Sequence, residues 1–164
     1  MKRLWLGPLL LGALPVLAEE PLWVPRNDWG EPGILQMPSA RFDAAGQFAV
    51  TVSHVDPYLR LSVFVTPLPW LEGGFRYTDI RNRPYGPEAL SGNQSYKDKS
   101  IDLRVRLLEE SALVPQVAVG WRDLGGTGLF SGEYFAASKR WGTFDVTAGL
   151  GWGYVGARGE VENP

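Results

Sequence analysis

The 164-residue sequence carries 16 basic and 18 acidic side chains, a formal net charge of -2, 45% apolar residues and 20 glycines. This composition is too apolar for a disordered chain and too acidic for a general nucleic-acid binder. The absence of cysteine excludes disulfides, thiolate metal sites, a cysteine nucleophile and a lipid anchor on an N-terminal cysteine.

Residues 1–18 are typical of a secretory signal peptide. Lys2 and Arg3 give a positive start, and Val16-Leu17-Ala18 is a small-residue cleavage site. The apolar stretch between them has fourteen residues, too few to span about 30 Å of hydrocarbon as a helix. We therefore predict cleavage near Ala18, which leaves 14 basic against 18 acidic residues and a net charge of -4.

Residues 19–45, called here the lead-in segment, are rich in Pro, Gly and Asp and show no sustained period. They predict an irregular segment before the first strand. Residues 46–156 predict the strands of the fold, and residues 157–164 predict a C-terminal tail.

Seven stretches within residues 46–156 alternate apolar and other residues with the period of a β-strand. The clearest alternation lies at residues 101–107. At residues 133–140 the pattern does not show which side chains point to which face of the sheet. The last, residues 144–154, places Phe, Val, Ala, Leu, Trp and Tyr on one face, and Asp, Thr and three glycines on the other. Lipid outside and a crowded interior would explain these two faces.

The connections between the stretches alternate short and long after a tight break at residues 54–57, the longest being residues 79–98. Outer-membrane barrels have short periplasmic turns and longer external loops. We therefore predict an all-β fold, an antiparallel up-and-down outer-membrane β-barrel of about seven strands. Seven is odd and no eighth strand follows residue 156, so the pattern indicates an incomplete barrel or a fragment of a larger one.

Five blocks of the sequence occur in the same order as in a known family. They are WGEPGILQMPSARF, PYLRLSVFVTPLPWLEGGFRYTDI, SYKDKSIDLRVRLLEES, VPQVAVGWRDLGGTGLFSGEYFAASKRWG and GLGWGYVG, within residues 29–156. In these blocks the chain resembles the N-terminal part of the YjbH-like outer-membrane exopolysaccharide (capsule) biosynthesis proteins. The resemblance implies a Gram-negative outer-membrane barrel protein in polysaccharide production or export. Family members are much longer, many are lipoproteins, and the family has no established catalytic residues to carry over.

Eight charged residues are predicted to face the barrel interior because they alternate with apolar ones. They would form a polar path for a sugar chain or its acidic groups, since guanidinium groups bind carboxylates in a bidentate manner. A salt-bridge network that fills a narrow barrel is the alternative. The residues are Arg60, Glu72, Arg76, Asp102, Arg104, Arg106, Arg122 and Asp145. In the longest loop, Tyr85 and Tyr96 are predicted to stack on sugar rings.

Signals for catalysis are weak. The stretch GWGYVG matches a dinucleotide fingerprint but has no helix after it. His54 is the single histidine, and its neighbour Ser53 would point to the opposite face of a strand. Asp56 and Asp79 lack metal-ligand spacing. We therefore expect no enzyme activity, no cofactor and no metal.

The predicted partners are outer-membrane lipid, polysaccharide and other polysaccharide-export proteins, with no nucleic acid. A general porin-like channel and a soluble periplasmic β-sandwich scaffold remain alternatives. The aromatic residues near strand ends fit either membrane interfaces or ordinary core packing. These residues are Trp70, Trp121, Trp141, Trp152 and Tyr154.

Overall fold

The computed structural model describes residues 24–156. The predicted signal peptide, its cleavage site near Ala18 and the predicted tail at residues 157–164 lie outside these residues. Within residues 24–156 the helical elements are α1 (Glu88–Ser91) and a 3-10 turn (Gly153–Val155). No helix in this range has the length and apolar character needed to cross a membrane.

Strands dominate the structure, as predicted. A short ladder in the lead-in segment pairs β1 (Gly33–Ile34) with β2 (Met37–Pro38). Seven further strands form one antiparallel sheet in which each strand pairs with the next along the chain. They are β3 (Phe48–Val55), β4 (Tyr58–Leu68), β5 (Leu71–Pro84), β6 (Ser95–Leu108), β7 (Gln116–Gly126), β8 (Gly132–Trp141) and β9 (Phe144–Gly151). The all-β class and the seven antiparallel strands are confirmed, and the sheet curls into half of a barrel.

Strands β5 and β6 are longer than the alternation predicts, with 14 residues each. Pairing continues through Asp79 with Lys97 and Ile80 with Tyr96, so the loop between the strands shortens to residues 85–94. The Lys97 ammonium lies 2.6 Å from the Asp79 carboxylate, and the Ile80 side chain is buried. These contacts extend the pairing of β5 with β6 through residues in which apolar and polar types do not alternate.

The two faces of the curled sheet differ in chemistry. The convex outer face exposes apolar side chains: Leu61, Val65, Phe75, Ile101, Phe135, Val146 and Leu150. The concave inner face buries mostly polar and small side chains. The structure also shows which side chains of residues 133–140 point to each face. Tyr134, Ala136 and Ser138 are buried on the inner face, whereas Phe135 is exposed on the outer face.

Residues 24–45 of the lead-in segment lie against the inner face of the sheet and fill it. At one end Trp29 packs with Tyr58, Ile80 and Phe130. Towards the other end Ala40 and Phe42 pack with Ala118, Tyr134 and Ala136. Apart from the short β1–β2 ladder, the described part of the segment has no strand or helix, and no pattern in the sequence predicts its position inside the sheet. The core of the described chain is therefore the contact between this segment and the strands.

The end of β9 departs from the predicted outward row of residues 144–154. Strand β9 ends at Gly151, and Gly153 has a φ of 60°, a left-handed backbone conformation that glycine adopts without strain. The chain turns inward there. Tyr154 consequently packs edge-to-face on Trp29 and Phe130, with ring centroids 5.4 and 5.1 Å away, instead of facing outward.

Candidate functional site

All eight predicted interior residues lie on the inner face, where they surround the lead-in segment. Arg60, Glu72, Arg76, Asp102, Arg104 and Arg122 are buried. Arg106 keeps 16% of its side chain exposed and Asp145 keeps 30%. These groups contact one another and the lead-in segment, so the structure brings them together as a network.

Glu31 of the lead-in segment occupies the centre of this network. Its Oε1 accepts hydrogen bonds from Arg122, at 2.8 Å from Nε and from Nη2 as well. Its Oε2 accepts a 2.7 Å hydrogen bond from the Tyr134 hydroxyl and lies 3.8 Å from Nε of Arg104. We call Arg104, Arg122 and Tyr134 the carboxylate receptor, because all three belong to the sheet and converge on one carboxylate.

The receptor residues come from the three adjacent strands β6, β7 and β8. Arg104 pairs in register with Gly120, and Gly120 pairs with Tyr134. A Cβ atom at position 120 would lie 2.3 Å from Cζ of Tyr134. The glycine therefore leaves room for the tyrosine ring to cross β7, so that the hydroxyl accepts a 2.9 Å hydrogen bond from Nε of Arg104.

Arg104 also ties the sheet to the lead-in backbone. It donates to the carbonyl oxygens of Ser39 at 2.6 Å and Arg41 at 2.9 Å, and to Oε1 of Glu72 at 3.0 Å. A guanidinium group offers five N–H donors in a fixed planar geometry, which suits several acceptors at once. Arg104 thus fixes the lead-in segment along the inner face.

The Trp29 ring is surrounded by guanidinium groups. The Cζ atoms of Arg60, Arg76 and Arg122 lie 4.3, 4.6 and 4.7 Å from its centroid. Arg76 pairs with the Asp102 carboxylate, and Arg122 pairs with Glu31. Stacking on an aromatic face stabilises a buried cation, most strongly on tryptophan. Trp29 therefore helps to hold these arginines within the protein.

A second ionic contact joins the other end of the lead-in segment to the sheet. Arg41 donates to both carboxylate oxygens of Asp145, at 3.0 and 2.7 Å. It also donates to Oε2 of Glu110. Burial acts to raise the pKa of Glu110, but hydrogen bonds from the Arg140 backbone N–H, Arg41 and Lys139 lower that pKa to about 2. Glu110 therefore stays ionised beside Arg41.

The electrostatics of Glu31 follow from its surroundings. Complete burial acts to raise the pKa of this carboxyl group, yet the charges of Arg122 and Arg104 and the hydrogen bond from Tyr134 together outweigh it. The pKa of Glu31 is lowered to about 2. Glu31 is accordingly a buried carboxylate ion over the whole neutral range.

The two predicted loop tyrosines lie at the end of the β5–β6 hairpin, with Tyr85 in the loop directly after β5 and Tyr96 within β6 rather than in the loop. Tyr85 is 57% exposed, and its ring centroid lies 6.3 Å from that of Tyr96. The guanidinium of Arg83 stacks on Tyr96 at 4.5 Å. Tyr85 is thus accessible, whereas Tyr96 is half-buried and packs against the interior cluster that contains Trp29.

Residues that could support catalysis or metal binding are scattered. The Ser53 hydroxyl donates to the Asp28 carbonyl on the inner face, whereas His54 is exposed and contacts Asp56 and Arg81. No group of three or more His, Asp or Glu side chains within residues 24–156 could hold a metal ion. The 3-10 turn after β9 stands where a dinucleotide fingerprint would need the start of an α-helix.

Sequence reasoning missed the lead-in residues of the site: Trp29, Glu31 and Arg41. They lie in a segment without periodicity, so no pattern assigns them to a face. One signal was present nevertheless. The predicted interior set contains five arginines and three carboxylates, and buried cations require partners. Glu31, in a nearby irregular segment, supplies one of the missing carboxylates.

The described chain is thus a curled antiparallel sheet with an apolar outer face and a charged inner face filled by its own N-terminal segment. The chain belongs to the YjbH family, whose model, described as exopolysaccharide biosynthesis protein YbjH, matches residues 25–164. The predicted family membership is confirmed.

A curated relative provides a second comparison. The chain is 52% identical over 145 residues to the uncharacterized lipoprotein YjbH of Escherichia coli strain K12. The alignment covers 88% of the chain but 21% of the relative, so the chain spans about a fifth of the length of that protein. No solved structure matches the chain significantly.

Proposed function

We propose that the chain is part of an outer-membrane β-barrel protein that acts, without catalysis, in the production or export of an exopolysaccharide. The observation that carries this proposal is the contrast between the two faces of the sheet. On the outer face Phe75 and Ile101 are directly paired across strands, and they are 48% and 54% exposed. A large exposed apolar surface on a sheet with a polar interior fits contact with lipid.

Aromatic residues at the ends of the strands support the same proposal. Trp70 and Trp141 are 49% and 60% exposed at the end of the sheet that carries the β4–β5, β6–β7 and β8–β9 connections. Trp152 is 51% exposed at the opposite end, beside Phe135. Tryptophan is favoured at both interfaces of a membrane because its ring is apolar and its N–H is polar.

The two alternative functions fit these observations less well. A soluble β-sandwich covers the apolar face of its sheet with a second sheet. In residues 24–156 the polar face is covered and the apolar face is open. A general porin-like channel needs a water-filled interior, whereas the lead-in segment occupies the interior of the part described.

The exposed Tyr85, with the half-buried Tyr96 beside it, is the proposed first contact with polysaccharide. Tyrosine rings offer flat apolar faces with a polar edge, and the adjacent Arg83 adds a positive charge. The connection of this hairpin, residues 85–94, is the longest between strands of the sheet in the described part of the chain. In the proposed barrel it is external, because the longer loops of outer-membrane barrels are external. Partner proteins of the export system are part of the same proposal.

The test uses the protein expressed from its own gene. We expect it in the outer-membrane fraction, with gel migration that changes on heating, and we expect deletion of the gene to reduce secreted polysaccharide. A protein released without detergent, or a band that does not shift on heating, would contradict the barrel. Unchanged polysaccharide in the deletion strain would contradict the role in its production.

The loop contact is tested in the same strain. The double substitution Tyr85→Ala and Tyr96→Ala should reduce secreted polysaccharide while the heat-modifiable band persists. The matched control, Tyr85→Phe with Tyr96→Phe, keeps both rings and should retain secretion. Equal secretion from the alanine variant and the wild type would rule out this contact.

A further inference from the structure

The carboxylate receptor consists of sheet residues, whereas its occupant belongs to the lead-in segment. Arg104, Arg122 and Tyr134 lie on neighbouring strands and converge on Glu31 from three directions. Without Glu31, Arg122 would keep no carboxylate partner among residues 24–156, and Arg104 would keep Glu72. The sheet alone therefore presents an anion-binding site that the chain satisfies internally.

We propose that this receptor is a binding site for a carboxylate of an acidic polysaccharide, such as a uronate, and that Glu31 is its internal competitor. The inference rests on the proposed function and names the substrate class. When the lead-in segment leaves the inner face, a uronate carboxylate takes the position of Glu31. It accepts the same hydrogen bonds from Arg122 and from the Tyr134 hydroxyl.

The chemistry of the receptor favours a carboxylate over other ligands. The two oxygens of Glu31 receive different donors, a forked guanidinium on one and a phenol on the other. Nε and Nη2 of Arg122 both donate to Oε1, which also accepts a 3.2 Å hydrogen bond from Nδ2 of Asn27 in the lead-in segment. Charge-assisted hydrogen bonds are stronger than neutral ones, and the second oxygen of a carboxylate is needed to accept from Tyr134 as well. A neutral sugar hydroxyl would leave one guanidinium charge unpaired in a buried site, which is unfavourable.

Polar contacts between the lead-in segment and the sheet make such an exchange feasible. The backbone N–H of Ala40 donates to the Ser138 hydroxyl at 2.9 Å, and Arg26 lies 3.7 Å from Glu72. These groups can be hydrated or bound by sugar hydroxyls once the segment leaves. The proposed release therefore exposes these polar groups together with the apolar and aromatic residues that pack on Trp29 and Phe42. A sugar ring has hydroxyl groups at its edge and apolar C–H faces, so a polysaccharide can contact both kinds of surface.

The binding experiment uses the full-length protein purified in detergent micelles. The probe is a hexamer of galacturonate, and the neutral probe is maltohexaose, with binding measured by equilibrium dialysis. We expect Glu31→Ala to bind the galacturonate hexamer at least tenfold more tightly than the wild type. The double variant Glu31→Ala with Arg122→Gln should lose this gain, and Glu133→Ala, on an exposed side chain of β8, should behave like the wild type.

A second measurement needs no substitution. In the wild-type protein, the galacturonate hexamer should accelerate tryptic cleavage after the buried Arg41, because it displaces the lead-in segment, whereas maltohexaose should not. A folded, heat-modifiable Glu31→Ala protein that binds no more tightly than the wild type would overturn the proposal. An equal increase in the affinity of Glu31→Ala for maltohexaose would overturn it as well. So would tryptic cleavage after Arg41 at the same rate with and without the galacturonate hexamer. Loss of outer-membrane location would instead contradict the proposed function.

Discussion

Glu31 and Arg122 are 91 residues apart in the sequence and are joined by two hydrogen bonds in the buried interior of the sheet. Removing one member of a buried ion pair leaves an uncompensated charge, at a typical cost of about 3–5 kcal/mol. This pair therefore controls how firmly the lead-in segment is held.

The Tyr134 hydroxyl is expected to contribute measurably to holding the lead-in segment. Tyr134→Phe removes a group that bridges Arg104 and Glu31 but keeps the ring. Loss of these hydrogen bonds should weaken docking by about 1–2 kcal/mol, which is roughly a 5- to 30-fold larger open population. Tryptic cleavage after Arg41 should accelerate accordingly. Tyr77→Phe is the matched control, and an equal effect there would argue against a specific role.

Acid is expected to release the lead-in segment. The pKa of Glu31 is about 2 in the folded protein, below its ordinary value of 4.5, so the docked state binds fewer protons than the undocked state. Its contribution, about 3 kcal/mol, is complete above about pH 4.5 and is lost as the pH falls towards 2. Glu110 acts in the same direction.

Hydrogen exchange of the lead-in amides measures this effect. After correction for intrinsic exchange rates, protection should fall between pH 4.5 and pH 2 in the wild type. Glu31→Gln should show lower protection throughout and a smaller change with pH. Protection in the wild type that stays constant over this range would contradict the assigned ionisation of Glu31.

Gly120 is expected to tolerate no side chain. In Gly120→Ala the added Cβ would lie 2.3 Å from Cζ of Tyr134, so the ring must leave its position between Arg104 and Glu31. Overpacking of this kind costs about 1–3 kcal/mol. Gly73→Ala is the matched control, because nothing lies within 4 Å of its Cβ position. Denaturant unfolding in micelles should separate the two variants, and equal stabilities would contradict the proposed crowding.

A charged side chain on the outer face is expected to reduce assembly of the protein in the outer membrane. Phe75→Arg places a guanidinium in the exposed apolar band, where a cation at the middle of a membrane costs about 2–4 kcal/mol. The amount of heat-modifiable protein in the outer membrane should decrease. Leu113→Arg is the control and should have little effect, because Leu113 lies in the β6–β7 connection and is 92% exposed. Normal assembly of Phe75→Arg would argue against lipid contact at this face.

Much of the sheet was predictable because alternation at residues 101–107 and similar stretches directly encodes which side chain faces which side. The same rule placed Arg104 and Arg122 on the inner face. The sequence predicts a loop at residues 79–98 because apolar and polar residues do not alternate there. The contacts that extend the strands, such as that of Lys97 with Asp79, join the two strands and produce no alternation along either one. The position of Glu31 is also not predictable from local alternation. Its partners Arg122 and Tyr134 lie on different strands and come together at Glu31 only when the sheet curls.

The distance along the chain between the lead-in segment and its partners also constrains the order of folding. Glu31 meets Tyr134 across 103 positions, and Arg41 meets Asp145 across 104. Closing such long loops is entropically costly and slow, and contacts of high sequence separation form late. During synthesis the segment emerges long before β7, β8 and β9. Until these strands pair, Trp29 and Phe42 lack part of the surface that buries them, so docking of the segment is a late step of folding.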